Sequence, residues 1–339
     1  MKPARTPRTD KPQVKLLVVD PHGLQHDRIA ALPEHLRAGD LLVVNDAATL
    51  PASLQAQNAQ GQSLELRLIS PREPNVWQAV TLGAGDWHLP TEHRPAPPPV
   101  HSGEEVVIAP HFRARVLNAD ALSDRLMTLA FNLAGAEFWR NLYRYGKPVQ
   151  YSYMQEDLQL WSVQNIYSGR PWAVEMPSAG HALNWELLLK LRKQGVTVVP
   201  LTHGAGLSAT GDQRIDQALP LAERFEIPAA TMAAVSKAKA LGGRVIAIGT
   251  SVVRALESAH LGLSGVTPLT LGPGYRRKLV DGLLTGTHDV SESHYQLLRA
   301  FLPDVTAAAD KGAYGLVDVP KPRMPKVSTA QPSVWNEDD

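Results

Sequence analysis

Gly243-Arg244-Val245-Ile246-Ala247-Ile248-Gly249-Thr250-Ser251-Val252-Val253-Arg254-Ala255-Leu256-Glu257-Ser258 reads as a buried strand, a Gly-Thr-Ser turn and a helix. That arrangement points free backbone N–H groups at an anion. Thr250 or Ser251 is expected to cap the helix. Arg254 and Glu257, three residues apart, lie on nearly the same helical face, within reach of a ligand held at the N-terminus. A purely structural reading stands beside this one, because any α/β protein carries capped helices after its strands.

Working outward, four more apolar runs end in the same kind of cluster. Leu41-Leu42-Val43-Val44 runs into Asn45-Asp46, and Trp172-Ala173-Val174-Glu175-Met176 into Pro177-Ser178-Ala179-Gly180-His181. Val196 to Leu201 runs into Thr202-His203-Gly204-Ala205-Gly206, and Val280-Asp281-Gly282-Leu283-Leu284 into Thr285-Gly286-Thr287-His288-Asp289. In parallel α/β architectures ligands sit on the loops beyond the carboxyl ends of the strands. Five such loops predict one rim and an enzyme-like cleft.

The rest of the chain frames that cleft. At 339 residues, 44% of them hydrophobic, the chain is long enough for two domains with ordinary cores. Zero cysteines exclude disulfides, thiolate metal sites and a cysteine nucleophile, and favour the cytoplasm. No apolar stretch approaches the ~18 residues of a membrane span, and Met1 to Lys15 lacks the apolar core of a signal peptide. A net charge of +1, from 34 basic and 33 acidic residues, supplies no global field for a polyanion. Nucleic-acid binding would have to be local, at the N-terminal arm, Arg140-Arg144-Lys147 or Arg276-Arg277-Lys278.

Texture along the chain predicts an α/β main domain with an inserted antiparallel β-barrel domain. The main domain begins over 1–51, with a flexible arm at 1–14. Short alternating strands from Ser53 to about Met127, such as Ser63-Leu64-Glu65-Leu66-Arg67-Leu68-Ile69, place the β insertion within 52–150, including the stiff Pro95-Ala96-Pro97-Pro98-Pro99 segment. The α/β pattern resumes over 151–319. There Asn184 caps a helix from Trp185 that Gly195 stops, and Pro228 opens another that Gly242-Gly243 close. The Pro-rich stretch 320–339 reads as a disordered tail.

Residue chemistry narrows the site. His181, His203, His288 and His294 fall in or near the rim, yet none makes an H-x-x-x-H pair, so no metal is expected. Ser178 lacks the G-x-S-x-G elbow of a nucleophile, and Ser178-Ala179-Gly180 reads instead as a close backbone approach to a ligand. His203 with Gly204 and Gly206 brings a near-neutral base and bare backbone to one ligand atom. Asn45-Asp46 suits ribose hydroxyls or an ammonium, or merely opens the turn before Pro51.

These segments, in this order, resemble a known family. Gly39-Asp40-Leu41-Leu42-Val43-Val44-Asn45-Asp46, Pro177-Ser178-Ala179-Gly180, the stretch Gly242 to Ser258, and Pro273-Gly274-Tyr275 with Val280-Asp281-Gly282-Leu283-Leu284-Thr285 are similar to the S-adenosylmethionine:tRNA ribosyltransferase-isomerases of queuosine biosynthesis. The resemblance covers nearly all of Lys15 to about Leu302. It implies an α/β domain interrupted by a β-barrel, and S-adenosylmethionine as co-substrate and ribosyl donor. It also implies a reaction in which a base removes the C5′ proton beside the sulfonium. Adenine and methionine leave, and the rearranged ribose joins the 7-aminomethyl-7-deazaguanine of tRNA as an epoxycyclopentane, giving epoxyqueuosine.

On that resemblance the expected catalytic residues are His203, then His288, with Asp46. Asn45, Ser178, Ala179, Gly180, His181, Gly204, Gly206, Gly249, Thr250, Ser251, Arg254, Glu257, Tyr275 and Asp281 are expected to bind substrate. Departures from the family pattern fall in the rim. P-T-A-G-L-H-F reads Pro177-Ser178-Ala179-Gly180-His181-Ala182-Leu183. H-V-G-L-G-T-F is matched by His203-Gly204-Ala205-Gly206-Leu207-Ser208, one residue short, and N-F-H-L-P-x-S-T by Thr285 to Ser293 without its proline. E-R-Y-Q-T is replaced near Asp157 to Ser162. N-D-T-R-V-I-P-A-R-L reads Asn45-Asp46-Ala47-Ala48-Thr49-Leu50-Pro51-Ala52-Ser53-Leu54, without either arginine. Those losses and the balanced charge predict weak tRNA binding, and leave two rival expectations: a paralogous enzyme using S-adenosylmethionine on a small molecule, or a non-catalytic binding protein. A monomer and no membrane association are expected.

Overall fold

The structure is a computed structural model that describes residues 11–20, 23–286, 293–302 and 314–318. In chain order it contains β1 (Lys15–Asp20), β2 (Gly23–Arg28), β3 (Leu41–Asn45) and β4 (Ala47–Thr49). There follow β5 (Ser53–Gln57), β6 (Ser63–Glu73), β7 (Val76–Leu82), β8 (Glu105–Ala109), β9 (Phe112–Asp120), β10 (Ser123–Phe131) and α1 (Gly135–Tyr145). The chain continues with β11 (Arg170–Ala173), α2 (Trp185–Lys193), β12 (Thr197–His203), α3 (Gln213–Ala218), β13 (Glu223–Glu226), α4 (Ala229–Ala240) and β14 (Val245–Ile248). Last come α5 (Thr250–Glu257), β15 (Ser264–Thr267), β16 (Gly282–Thr285), α6 (Ser293–Leu298) and β17 (Tyr314–Asp318).

Nine strands form one sheet in the order β15-β13-β12-β3-β14-β16-β17-β1-β2. Its centre, β12-β3-β14-β16, is parallel. Continuous apolar runs explain why: every residue of β3, β14 and β16 is buried, which requires cover on both faces. Leu41, Val43, Val245, Ala247 and Leu283 pack with Val235 of α4 and Val252 and Leu256 of α5 on one face. Leu42, Val44, Ile246, Ile248 and Leu284 meet Leu187 and Leu191 of α2 on the other. The register Leu41↔Thr197 and Leu41↔Val245 brings Asn45, His203 and Gly249 together at the carboxyl ends of the central strands.

The β insertion is a closed antiparallel barrel, β10-β7-β6-β5-β8-β9. Alternation makes it close: inward residues such as Leu54, Leu66, Ala79 and Val116 are buried, and α1 lays Phe138 and Leu142 into the same core. The core is aromatic at that end, with Phe138 5.0 Å from Phe131 and 5.7 Å from Trp77 between ring centroids. It also takes in Val174, Leu207 and Ile215 from outside the barrel.

Two expectations change. The run at Trp172 does not join the main sheet: β11 pairs in parallel with β4 as a separate two-stranded sheet. Three of its four residues are only partly buried, and Pro171 supplies no N–H, so it suits an edge position rather than a central one. The described end of the segment read as a flexible arm is packed, because Lys11–Gln13 form a 3-10 turn and Val14 is buried in the core with Leu16 and Ile29. The stretch 320–339 lies outside the described residues.

Candidate functional site

The strand-turn-helix that opened the reading is present, with one change at the cap. Gly249 itself is the N-cap, at φ +98° and ψ 156°, and no side chain accepts from the first turn. That backbone region is essentially glycine's alone. Thr250 and Ser251 are therefore the first helical residues rather than caps. Their turn is roofed by the 3-10 turn Ser178–Ala182, whose Ala179 Cβ lies 3.3 Å from the point where a Cβ on Gly249 would stand. Ala179 and Gly180 are buried, His181 is half-buried and Ser178 is exposed.

Asn45 ties the rim together. Its Oδ1 accepts from the N–H groups of Ala47 and His203, and its Nδ2 donates to the carbonyl of His203 and to Ser251 Oγ. All four hydrogen-bonding positions of the amide are thus used within the protein. Asn45 positions the rim and does not present its side chain to a ribose. Asp46 beside it is half-buried and accepts from Thr202 Oγ1 at 2.6 Å. Burial raises its carboxyl above the usual range, against the pull of Thr202 and Arg170.

His203 ends β12 with its side chain fully buried, its Nε2 3.4 Å from Glu223 Oε2 on the neighbouring β13. Glu223 is the centre of the cluster: Oε1 accepts from the Gly206 N–H at 2.6 Å, and Oε2 accepts from Arg254 Nη1. Burial holds the Glu223 carboxyl above its ordinary value although Arg254 and the Gly206 N–H oppose this, and Glu175 reinforces it. Glu175 is raised as well by loss of solvent. It accepts from the hydroxyls of Tyr151 and Ser208. A small cavity between barrel and sheet is lined by Ile69, Gly206, Leu207, Thr210, Leu221 and Glu223. Among the described residues its only ionisable wall is the Glu223 carboxyl.

The glycines of the rim make room for protein groups rather than for bare ligand contact. A Cβ on Gly180 would overlap the Tyr167 hydroxyl, one on Gly204 would stand 3.0 Å from the Trp172 carbonyl, and one on Gly206 2.9 Å from Glu223 Oε1. The sequence reading expected a ligand at these glycines. The approaching atoms belong to the chain itself.

Arg254 and Glu257 do not face the helix N-terminus. Arg254 is buried, bonded to Glu223 and to the Leu269 carbonyl at 2.9 Å. It reaches the site only through Glu223. Glu257, buried one turn further on, accepts from the backbone N–H groups of Lys278, Leu279 and Val280, and the Tyr275 hydroxyl lies 3.5 Å from it. Glu257 is thereby removed from the rim to the far end of α5, roughly 10 Å away at 1.5 Å per residue. Asp281 sits at the opposite end of the sheet, where it accepts from the N–H of Val245, the first residue of β14, and pairs with Lys239. The carboxylates of Glu257 and Asp281 are thus spent on backbone N–H groups within the protein, and Tyr275 lies beside Glu257. His288 lies outside the described residues. Among the described residues no group of three His, Asp or Glu is placed to hold a metal ion.

Sequence reading missed Glu223, Glu175, Tyr151, Arg170, Trp172 and Arg224. The visible signal was Glu223-Arg224-Phe225-Glu226, three charged residues around one aromatic, just before Ile227-Pro228. Arg170 grips Glu226 with both guanidinium ends, at 2.7 and 2.9 Å. Arg170 and Arg224 also lie over the Trp172 ring, at 4.3 and 4.0 Å from its centroid.

A parallel sheet whose strand-end loops gather a histidine, two raised carboxylates and an arginine defines an α/β protein with an enzyme-like cleft. The profile of the family described as queuosine biosynthesis protein matches residues 2–310, and the chain belongs to that family. Relatives named S-adenosylmethionine:tRNA ribosyltransferase-isomerase include one from Thermus thermophilus, 33% identical over 305 residues, covering 85% of this chain and 84% of the relative. Another, from Acaryochloris marina, is 33% identical and covers 88% and 82%. A third, from Acidithiobacillus ferrooxidans, is 34% identical and covers 88% and 85%. A crystal structure of S-adenosylmethionine tRNA ribosyltransferase from Thermotoga maritima overlaps with a TM-score of 0.46 at 23% identity, covering 92% of this chain and 95% of that one.

Proposed function

We propose that this protein is an S-adenosylmethionine-dependent ribosyltransferase-isomerase. It moves and rearranges the ribosyl group of the donor onto the aminomethyl deazaguanine of tRNA, with release of adenine and methionine. The observation that carries the reading is the His203–Glu223 pair beside the Gly249 turn. The sulfonium acidifies C5′, so the chain must supply a placed base and an orienting pocket rather than a strong nucleophile. His203 is enclosed, and Glu223 is the member of the pair that lines the cavity. The pair takes the C5′ proton together, with Arg254 and the Gly206 N–H fixing the carboxylate. The donor's carboxylate lies at the N–H groups that open α5, where the helix dipole favours negative charge. Ser178 and His181 flank that turn, and Asp46 faces the ribose.

Family membership and the printed names of the relatives support tRNA as the acceptor. No described helix is long and apolar enough to cross a membrane; relatives named as tRNA-modifying enzymes support a place in the cytoplasm, where tRNA is. The test is incubation of the pure protein with S-adenosylmethionine, with and without tRNA carrying the aminomethyl base, followed by assay of adenine and methionine. Release that requires the tRNA is expected. His203→Ala should lower it by on the order of 10²-fold in protein shown still to be folded, with some loss of melting temperature because the ring is fully buried. Release independent of tRNA would favour a small-molecule acceptor, to which the missing arginines at Ala48 and Ser53 point. No release would leave a binding protein.

A further inference from the structure

We propose that Arg224, which lies with Arg170 over the Trp172 ring, is a phosphate-binding residue that holds the backbone of the RNA acceptor at the edge of the cleft. This inference rests on the tRNA reading above. Two guanidinium groups lie against one indole, an arrangement that concentrates two positive charges on a single ring. They are not equivalent. Arg170 is neutralised by its two-pronged pairing with Glu226, whereas Arg224 has no carboxylate partner among the described residues. Burial, then the charge of Arg170, lowers the Arg224 guanidinium to about 10, so it remains a cation at neutral pH. A half-buried cation held beside another cation, with no anion of its own, is a costly arrangement in the absence of a ligand. An external anion relieves it.

Position selects the anion. Arg224 belongs to β13, next to the end of β12, and its carbonyl accepts from the Gly204 N–H in the His203 loop. The neighbouring Arg170 and Glu226 side chains are 39% and 41% exposed, so the stack stands on the open side of the cleft rather than in the enclosed part around His203. A ligand arriving from solvent meets it first. The strand that carries Arg170 pairs with β4, registering Arg170 with Ala47 and Pro171 with Ala48, the segment where the family motif places an arginine that this chain lacks. Cationic character missing from β4 is thus present on the strand beside it. Arginine reads phosphate through its planar fork, and aromatic stacking holds that plane in place before the ligand arrives.

The test uses the full-length protein and two charge-removing variants, Arg224→Gln and Arg224→Met, the second keeping the aliphatic contact with Trp172. Binding of tRNA bearing the aminomethyl base is measured across a salt series, and binding of S-adenosylmethionine by calorimetry. Either variant that melts as wild type does is sufficient. The expected result is tRNA affinity reduced about tenfold at low salt, with the slope of log affinity against log salt smaller by about one, and donor affinity unchanged. Donor affinity lost with tRNA affinity kept would overturn the proposal by assigning the arginine to the donor's carboxylate. Both affinities unchanged would make the stack structural, and overturn it equally. Destabilisation of both variants would likewise assign the stack to the fold. Wild-type protein that binds the donor but no tRNA would instead sink the acceptor reading on which the proposal stands.

Discussion

Gly249 is the residue on which turn, roof and helix meet, and its conformation is not open to other amino acids. At φ +98° and ψ 156° an L side chain is strained, and its Cβ would press to 3.3 Å of Ala179. Gly249→Ala is therefore expected to destabilise the protein by about 1–3 kcal/mol and to weaken donor binding, because relief of the strain rotates the first N–H groups of α5. Urea unfolding and calorimetry with S-adenosylmethionine check both parts. Unchanged donor affinity in a destabilised variant would separate the turn from the binding site. The neighbouring lesson concerns direction along the helix. Arg254 and Glu257 share a face as their spacing requires, but spacing does not say which end of the helix that face addresses. The three N–H groups of 278–280 that Glu257 satisfies come from a loop more than twenty residues later, which no local pattern announces.

At the scale of elements, what could be read locally was read well. Asn184 caps α2 by accepting from Leu187 N–H, Gly195 at φ +86° ends it, and Pro228 and Gly242 bound α4, because caps and stops are written within four residues of the bond they make. The alternating segment became the barrel for the same reason. The site was legible only in half. His203 and the Gly249 turn announce themselves at strand ends, whereas Glu223, Glu175 and Tyr151 reach them from separate segments, and β11 left the main sheet because pairing partners are not encoded in one strand's texture. That hidden half has a pH signature. The Glu175 carboxyl is raised by loss of solvent and keeps its proton to a higher pH in the native state than in the unfolded chain. Above the ordinary carboxyl value, about 4.3, the unfolded state therefore binds fewer protons, so this group's contribution to stability falls as pH rises until the raised value is passed. Glu175→Gln removes the charge, keeps one oxygen to accept from the Tyr151 hydroxyl and the Ser208 N–H, and turns the other position into an amide that donates to Ser208 Oγ. It should match wild type near pH 4 and exceed it at pH 7, and urea midpoints at the two pH values decide. A variant weaker than wild type at pH 7 would show that the charge is stabilising there.

Across the whole molecule the barrel reads in sequence as a separate insertion, but its attachment to the sheet is too extensive for independence. Arg125 of β10 donates to the carbonyls of Thr210 and Gly211 at 2.8 and 3.0 Å, and Ser123 donates to Asp212 at the cap of α3. The Arg67 guanidinium lies 5.4 Å from the ring centre of Tyr151, which in turn donates to Glu175. Beneath these bonds the barrel core runs on into Val174, Leu207 and Ile215 of the α/β part. Separating the two would expose that apolar surface and strand buried polar groups on both sides, so neither half retains its stability without the other. The protein is accordingly expected to unfold in one cooperative transition. Single-tryptophan variants keeping either Trp77 in the barrel or Trp172 on β11 should report the same urea midpoint and the same slope. Two separated midpoints would show that the barrel is a domain in the thermodynamic sense. In that event the cavity between barrel and sheet, with Glu223 in its wall, would be free to open without unfolding either part.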